Sequence, residues 1–199
     1  MLYAYYHETH LEQWMNSKYL DHGISAPSDL DIERIAMAFG IGLIYGDFPS
    51  FSDNEENVIF LNKHMEEVQA RVVFYHELCH VLRHAGDQRR MTELFLHAQE
   101  TEAEQFVLYA AIPFYMFAKL PVPDHRSEAV AYIAEQFRVP PELAEQRLDQ
   151  IQRRVLQGSL IAAAQETARR QREAERSWSP ETRRMLSQLE RQIGGQGGR

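Results

Sequence analysis

Apolar positions along the chain change period several times, and each change predicts an element. Helical spacing over about Thr9–Lys18 and Leu30–Phe39 predicts two helices separated by the turn-like "HGISAPSD". "GIGLIYGDF" and "NVIFLN" are β-rich runs on either side of a polar loop, "PSFSDNEE", and predict two strands of a small sheet. The strand near Asn57–Asn62 is expected at an edge. From Lys63 to about His84 the pattern is helical again, and Gly86 in "AGDQRR" is a candidate C-cap. Further helices are expected over roughly Ala98–Ile112, Arg126–Phe137 and Pro141–Leu156. Beyond Gly158 the residues shift to Ala, Gln, Glu and Arg. Ser179-Pro180-Glu181 there reads as an N-cap, a proline at the first helical position and an acid in the first turn. The terminal "GGQGGR" reads as disordered. The pattern divides the chain into a compact α+β domain, residues 1–157, and a helical extension, residues 158–199.

Composition narrows the class. The 199 residues are 44% hydrophobic and 25% charged, as in ordinary globular proteins. A net charge of -8 argues against binding nucleic acid, whose phosphates are held mostly by cations. A single cysteine, Cys79, excludes an internal disulfide and fits a reducing cytoplasm. The start, "MLYAYYHETH", lacks the basic and apolar regions of a signal peptide. The apolar run Phe106–Ala118 is interrupted by Pro113 and is too short to span a bilayer. These features predict a cytoplasmic protein without a membrane anchor.

One helix breaks its own pattern. "VVFYHELCHVL", residues 72–82, sets two imidazoles and a carboxylate in an apolar run. His76-Glu77-Leu78-Cys79-His80 is an H-E-x-x-H sequence. Helical residues advance by about 100°, so His76 and His80 stand one turn apart on one face. Both can reach one metal ion, with Glu77 beside them. Burial of polar groups among Val72, Val73, Phe74, Leu78, Val81 and Leu82 demands partners, and a metal is one. A catalytic zinc needs a third protein ligand and an open position for water. "HAQETEAEQFVLYAAIP" offers it: Glu100 is the expected ligand and Glu104, one turn on, the carboxylate that orients a ligating histidine. Glu102 is expected to point away, and would be the ligand only in a different register. Glu77 is the expected general base for hydrolysis of a peptide bond, and the Asn57–Asn62 strand could pair with substrate. Two histidines and a carboxylate also accept other divalent ions.

Those motifs resemble the ImmA/IrrE metallo-endopeptidases. The resemblance runs from "LDIERIAMAFGIGLIY" through "VIFLN", "VVFYHELCHVLRHAG" and "QETEAEQFVLYAAIP" to "FRVPPELAEQRL". It implies a mostly helical zincin-like domain with a small β-sheet. His76, His80 and Glu100 match the zinc-ligand positions and Glu77 the general acid/base. It also implies a partner, a helix-turn-helix repressor of a phage or mobile element that is cleaved. The chain departs from the family at Cys79, where Gly is frequent, and at Glu104, where Asn or Asp is frequent. The segment beyond Gly158 has no counterpart.

Plainer readings stand beside these. His84 continues the i, i+4 series but is expected to be structural, and His97 is a weak candidate for substrate contact. Cys79 reads as a small buried hydrophobe and Tyr75 as a packing residue. "IAEQFRVPPELAEQRL" faintly resembles a helix-turn-helix, but Glu142, Glu145 and Asp149 have the wrong charge for phosphates. The extension reads as a solvated helix or a docking arm. Two alternatives remain: a non-hydrolytic regulator that sequesters a repressor, and a structural zinc domain with His84 or Cys79 as fourth ligand.

Overall fold

The fold is taken from a computed structural model that describes residues 3–84 and 92–194. Gly86 and most of the terminal glycine run lie outside the described residues. The architecture is α+β and predominantly helical, with one three-stranded sheet.

Helix α1 (His10–Asp21) begins where the Thr9 hydroxyl accepts the Glu12 N–H at 3.2 Å. A short 3₁₀ turn at Pro27–Asp29 leads to α2 (Ile32–Ala38), capped by Asp31 accepting from the Arg34 N–H at 2.9 Å. Three strands follow: β1 (Gly42–Gly46), β2 (Phe51–Asp53) and β3 (Val58–Asn62). Their order is β1-β3-β2, with β3 parallel to β1 and antiparallel to β2. The strand expected at an edge is therefore the central one, and β2 lies in the segment read as a loop. Its three residues, Phe-Ser-Asp, are too few to show a period. Strand addition to β3 is precluded by neighbours on both sides. On β3, Ile59 and Leu61 are fully buried, and register places Ser52 opposite Ile59.

Helix α3 (Glu67–Arg83) packs on this sheet and on α4 (Glu93–Ala111). Phe74, Tyr75, Leu78 and Cys79 of α3 and Ala103, Phe106 and Ala110 of α4 belong to one buried core. Helix α4 starts earlier than expected because its first turns, with Leu94 and Phe95 exposed, carry no core-facing period. After α5 (Phe114–Phe117), α6 (Arg126–Phe137) ends in left-handed Arg138. The buried Arg71 of α3 donates to the carbonyls of Arg138 at 3.1 Å and Phe137 at 3.4 Å, tying the two helices together. No helix among the described residues is long and apolar enough to cross a membrane.

Helix α7 (Pro141–Ser177) runs through Gly158 instead of ending near Leu156. The apolar period stops there, but Ala, Gln, Glu and Arg propagate a helix without a core. Glu166 also bridges Arg169 and Arg170 within it. Helix α8 (Pro180–Gly194) is the last element among the described residues, with the Ser179 hydroxyl accepting the Thr182 N–H. The acids Glu145 and Asp149 of α7 are engaged by Arg126 of α6, at 2.8 and 2.7 Å. This pair of helices packs together, as the charge of its second member implied.

Two features lock α7 to the start of the chain. Glu12, fully buried, pairs with the equally buried Arg147 and, at 2.6 Å, with Arg154. Tyr6 donates to the same carboxylate at 2.7 Å, and Arg147 donates to the Ile112 carbonyl at 3.0 Å. Gly158 then meets the N-terminal segment so closely that a Cβ would stand 2.0 Å from the Tyr5 carbonyl oxygen. Glu12→Leu should lower stability by about 3–5 kcal/mol in chemical denaturation, because a buried guanidinium loses its counter-charge. Gly158→Ala should be destabilising by about 1–3 kcal/mol, against the gain of about 1 kcal/mol that alanine brings to an ordinary helix interior. A higher melting temperature for that variant would contradict the close approach.

Candidate metal centre

Helix α3 presents His76 and His80 one turn apart, as the spacing requires, and their Nε2 atoms stand 3.0 Å from each other. Glu100 reaches over from α4: Oε2 is 3.3 Å from His76 Nε2 and Oε1 is 3.5 Å from His80 Nε2. Among the described residues this is the one group of three metal-type ligands, with atoms within 4.8 Å of one another. Ligands about 2.0–2.1 Å from a tetrahedral zinc stand roughly 3.3 Å apart, and the two imidazole nitrogens and the two Glu100 oxygens that face them are spaced on that scale. His80 is buried, with a side chain 6% exposed, whereas that of Glu100 is 49% exposed. The cluster is therefore rooted in the core and open towards solvent.

The electrostatics suit a cation. Burial, and next the neighbouring His76, press the His80 imidazole down to about 4, so at neutral pH it is uncharged and holds a lone pair. Glu77 lies beside the cluster. The Ser52 hydroxyl of β2 donates to its Oε2 at 2.7 Å. Burial raises the Glu77 carboxyl above the usual range, while the Ser52 bond and His76 draw it back. The residue pattern gave no sign of Ser52. Only the register of β2 on β3 turns this hydroxyl towards α3.

The carboxylate expected to orient a ligating histidine is elsewhere. Glu104 is exposed, and the other side of His80 is occupied instead by His84, whose Nδ1 lies 2.8 Å from His80 Nδ1. Glu102, expected to point away, bonds Arg83 at 2.9 Å and stands 3.6 Å from His84 Nε2. Helix geometry explains both. On α4 the buried stripe at this level passes through Gln99 and Ala103. Glu100 and Glu102 flank that stripe at roughly 80° on either side, and both can fold back onto α3, while Glu104 lies about 120° away.

The remaining candidates fall into place. His97 is exposed, outside the cluster. Tyr75 is fully buried and its hydroxyl accepts from Arg71 at 3.4 Å. Cys79 faces the core, where burial pushes its thiol up to about 12. Cys79 is buried in the core and His84 faces the back of His80, so neither joins the three ligand atoms that come together among the described residues.

The chain is similar to known proteins. The chain is 36% identical over 148 residues to the phage-like element PBSX protein XkdA of Bacillus subtilis (strain 168), covering 73% of this chain and 75% of that one. It is 29% identical over 154 residues to the uncharacterized protein YqaB of the same strain, covering 76% and 90%. Residues 30–149 match Peptidase_M78, the IrrE N-terminal-like domain, and they contain α2 to α6, the sheet and all three candidate ligands. The chain belongs to this IrrE/ImmA-like metallopeptidase family.

Proposed function

We propose that the chain is a zinc-dependent endopeptidase that hydrolyses a peptide bond in a partner protein, a helix-turn-helix repressor of a phage or mobile element. The observation that carries this reading is the convergence of His76, His80 and Glu100 beside a half-buried glutamate held by Ser52. In this reading the two Nε2 atoms and the Glu100 carboxylate hold the ion. When bound, zinc lowers the pKa of a water in the open position to about 7 and polarises the scissile carbonyl.

Glu77 is the general base. Ser52 holds Oε2 and fixes the carboxylate plane, leaving Oε1 to take the proton of the attacking water. The raised proton affinity that burial gives Glu77 suits a group that must hold this proton and then hand it to the leaving amine. β2 is the strand to which a substrate segment would add, since it is an edge strand and carries Ser52 against Glu77. The reading places the peptidase chemistry in residues 1–157, treats residues 158–199 as a helical extension, and sets the protein in the cytoplasm, where Cys79 stays reduced. Similarity to a protein of a phage-like element supports the choice of repressor as partner.

Purified protein should carry about one zinc per chain, and Glu100→Ala should lose most of it, as read by elemental analysis. Glu77→Gln should keep its zinc and lose cleavage of a co-expressed repressor by about 10²–10⁴-fold. Undiminished derepression by that variant, with the repressor intact, would favour sequestration over hydrolysis.

A further inference from the structure

His84 sits where α3 ends, and its backbone is held there: φ is -107° and ψ 105°, and Asn54 Nδ2 donates to its carbonyl oxygen at 2.7 Å. Its Nδ1 lies 2.8 Å from His80 Nδ1, inside the protein. At that distance one nitrogen must carry a proton and the other a lone pair. An imidazole that gives Nε2 to an ion keeps its one ring proton on Nδ1. His80 is then the donor and His84 the acceptor. The remaining proton of a neutral His84 falls on Nε2, which is buried without a hydrogen-bond partner and lies 3.6 Å from Glu102 Oε2. Glu102 is held in turn by Arg83, whose guanidinium lies 5.1 Å from the centre of the Trp14 ring.

We propose that His84 is a positioning residue for the metal centre: it accepts the Nδ1 proton of His80 and so fixes the tautomer and ring orientation in which His80 Nε2 faces Glu100. Glu102, held by Arg83, lies behind His84. A ligating histidine usually donates its far N–H to a carboxylate, a backbone carbonyl or water. Here a second imidazole takes that place, with the Glu102 carboxylate 3.6 Å from its far nitrogen. This inference rests on His76, His80 and Glu100 being the ligands, and adds a residue outside that set.

The test is a pair of substitutions in the full chain. His84→Leu removes the acceptor, while His84→Asn can set an amide oxygen near the position of Nδ1. Zinc affinity, measured by competition with a chelator, should fall about 10–100-fold in His84→Leu, and His84→Asn should recover most of it. A residue that only filled space would not show this rescue. In zinc-loaded wild-type protein, long-range nitrogen–proton spectra at neutral pH should find His80 protonated on Nδ1 and His84 on Nε2. Unchanged affinity in His84→Leu, or a proton on His84 Nδ1, would overturn the inference while leaving the three ligands standing. Failure of the wild type to take up zinc would overturn both.

Discussion

The packing of α4 on α3 is the constraint from which the site follows. H-E-x-x-H on one helix delivers two nitrogens and no more. The third candidate ligand, Glu100, comes from a helix whose own core stripe, through Gln99 and Ala103, must stay buried. Seating that stripe leaves two acids astride it. Glu100 closes on His76 and His80, and Glu102 closes on Arg83 and His84. Hydrophobic burial therefore sets the relative rotation of the two helices, and the carboxylates inherit their positions from it. The sheet makes the third contribution: Ile59 and Leu61 bury the inner face of β3, and the paired β2 turns Ser52 onto Glu77.

A second polar centre, well separated in sequence, closes the fold. Glu12 of α1, Arg147 and Arg154 of α7, and Tyr6 form a buried ion cluster whose members satisfy one another. Such a cluster contributes less net stability than an apolar core of equal volume, but losing one member is costly. Its effect is selective: it seats α7 against α1 in one register, and the Gly158–Tyr5 contact holds the same helix further along. Past that point α7 leaves the core, and its side chains are mostly exposed.

Much of this was legible in the residues, for physical reasons that differ by element. His76, His80 and Glu77 follow from helical period alone. Glu100 was the expected third ligand, and it lies 3.3 and 3.5 Å from the two histidines. The extents of α2 and α6 follow from apolar spacing, whereas α3 begins at Glu67, four residues after the expected start at Lys63. What stayed hidden depended on tertiary partners. The three residues of β2 are too few to show a period, so β3 passed for an edge strand. The far end of α7 has no core to print a pattern on it. Glu104 stays exposed and Glu102 turns to Arg83 and His84, because sequence spacing tells how far apart two side chains stand around a helix, but not where the neighbouring helix lies.

The most direct test of the central claim is diffraction from crystals of the zinc-loaded protein at the zinc absorption edge. The account requires one strong anomalous peak within about 2.0–2.2 Å of His76 Nε2, His80 Nε2 and a Glu100 oxygen, with the remaining position filled by solvent. A peak bound by the Cys79 sulfur or by His84 as a fourth protein ligand, or no peak beside these residues, would contradict it.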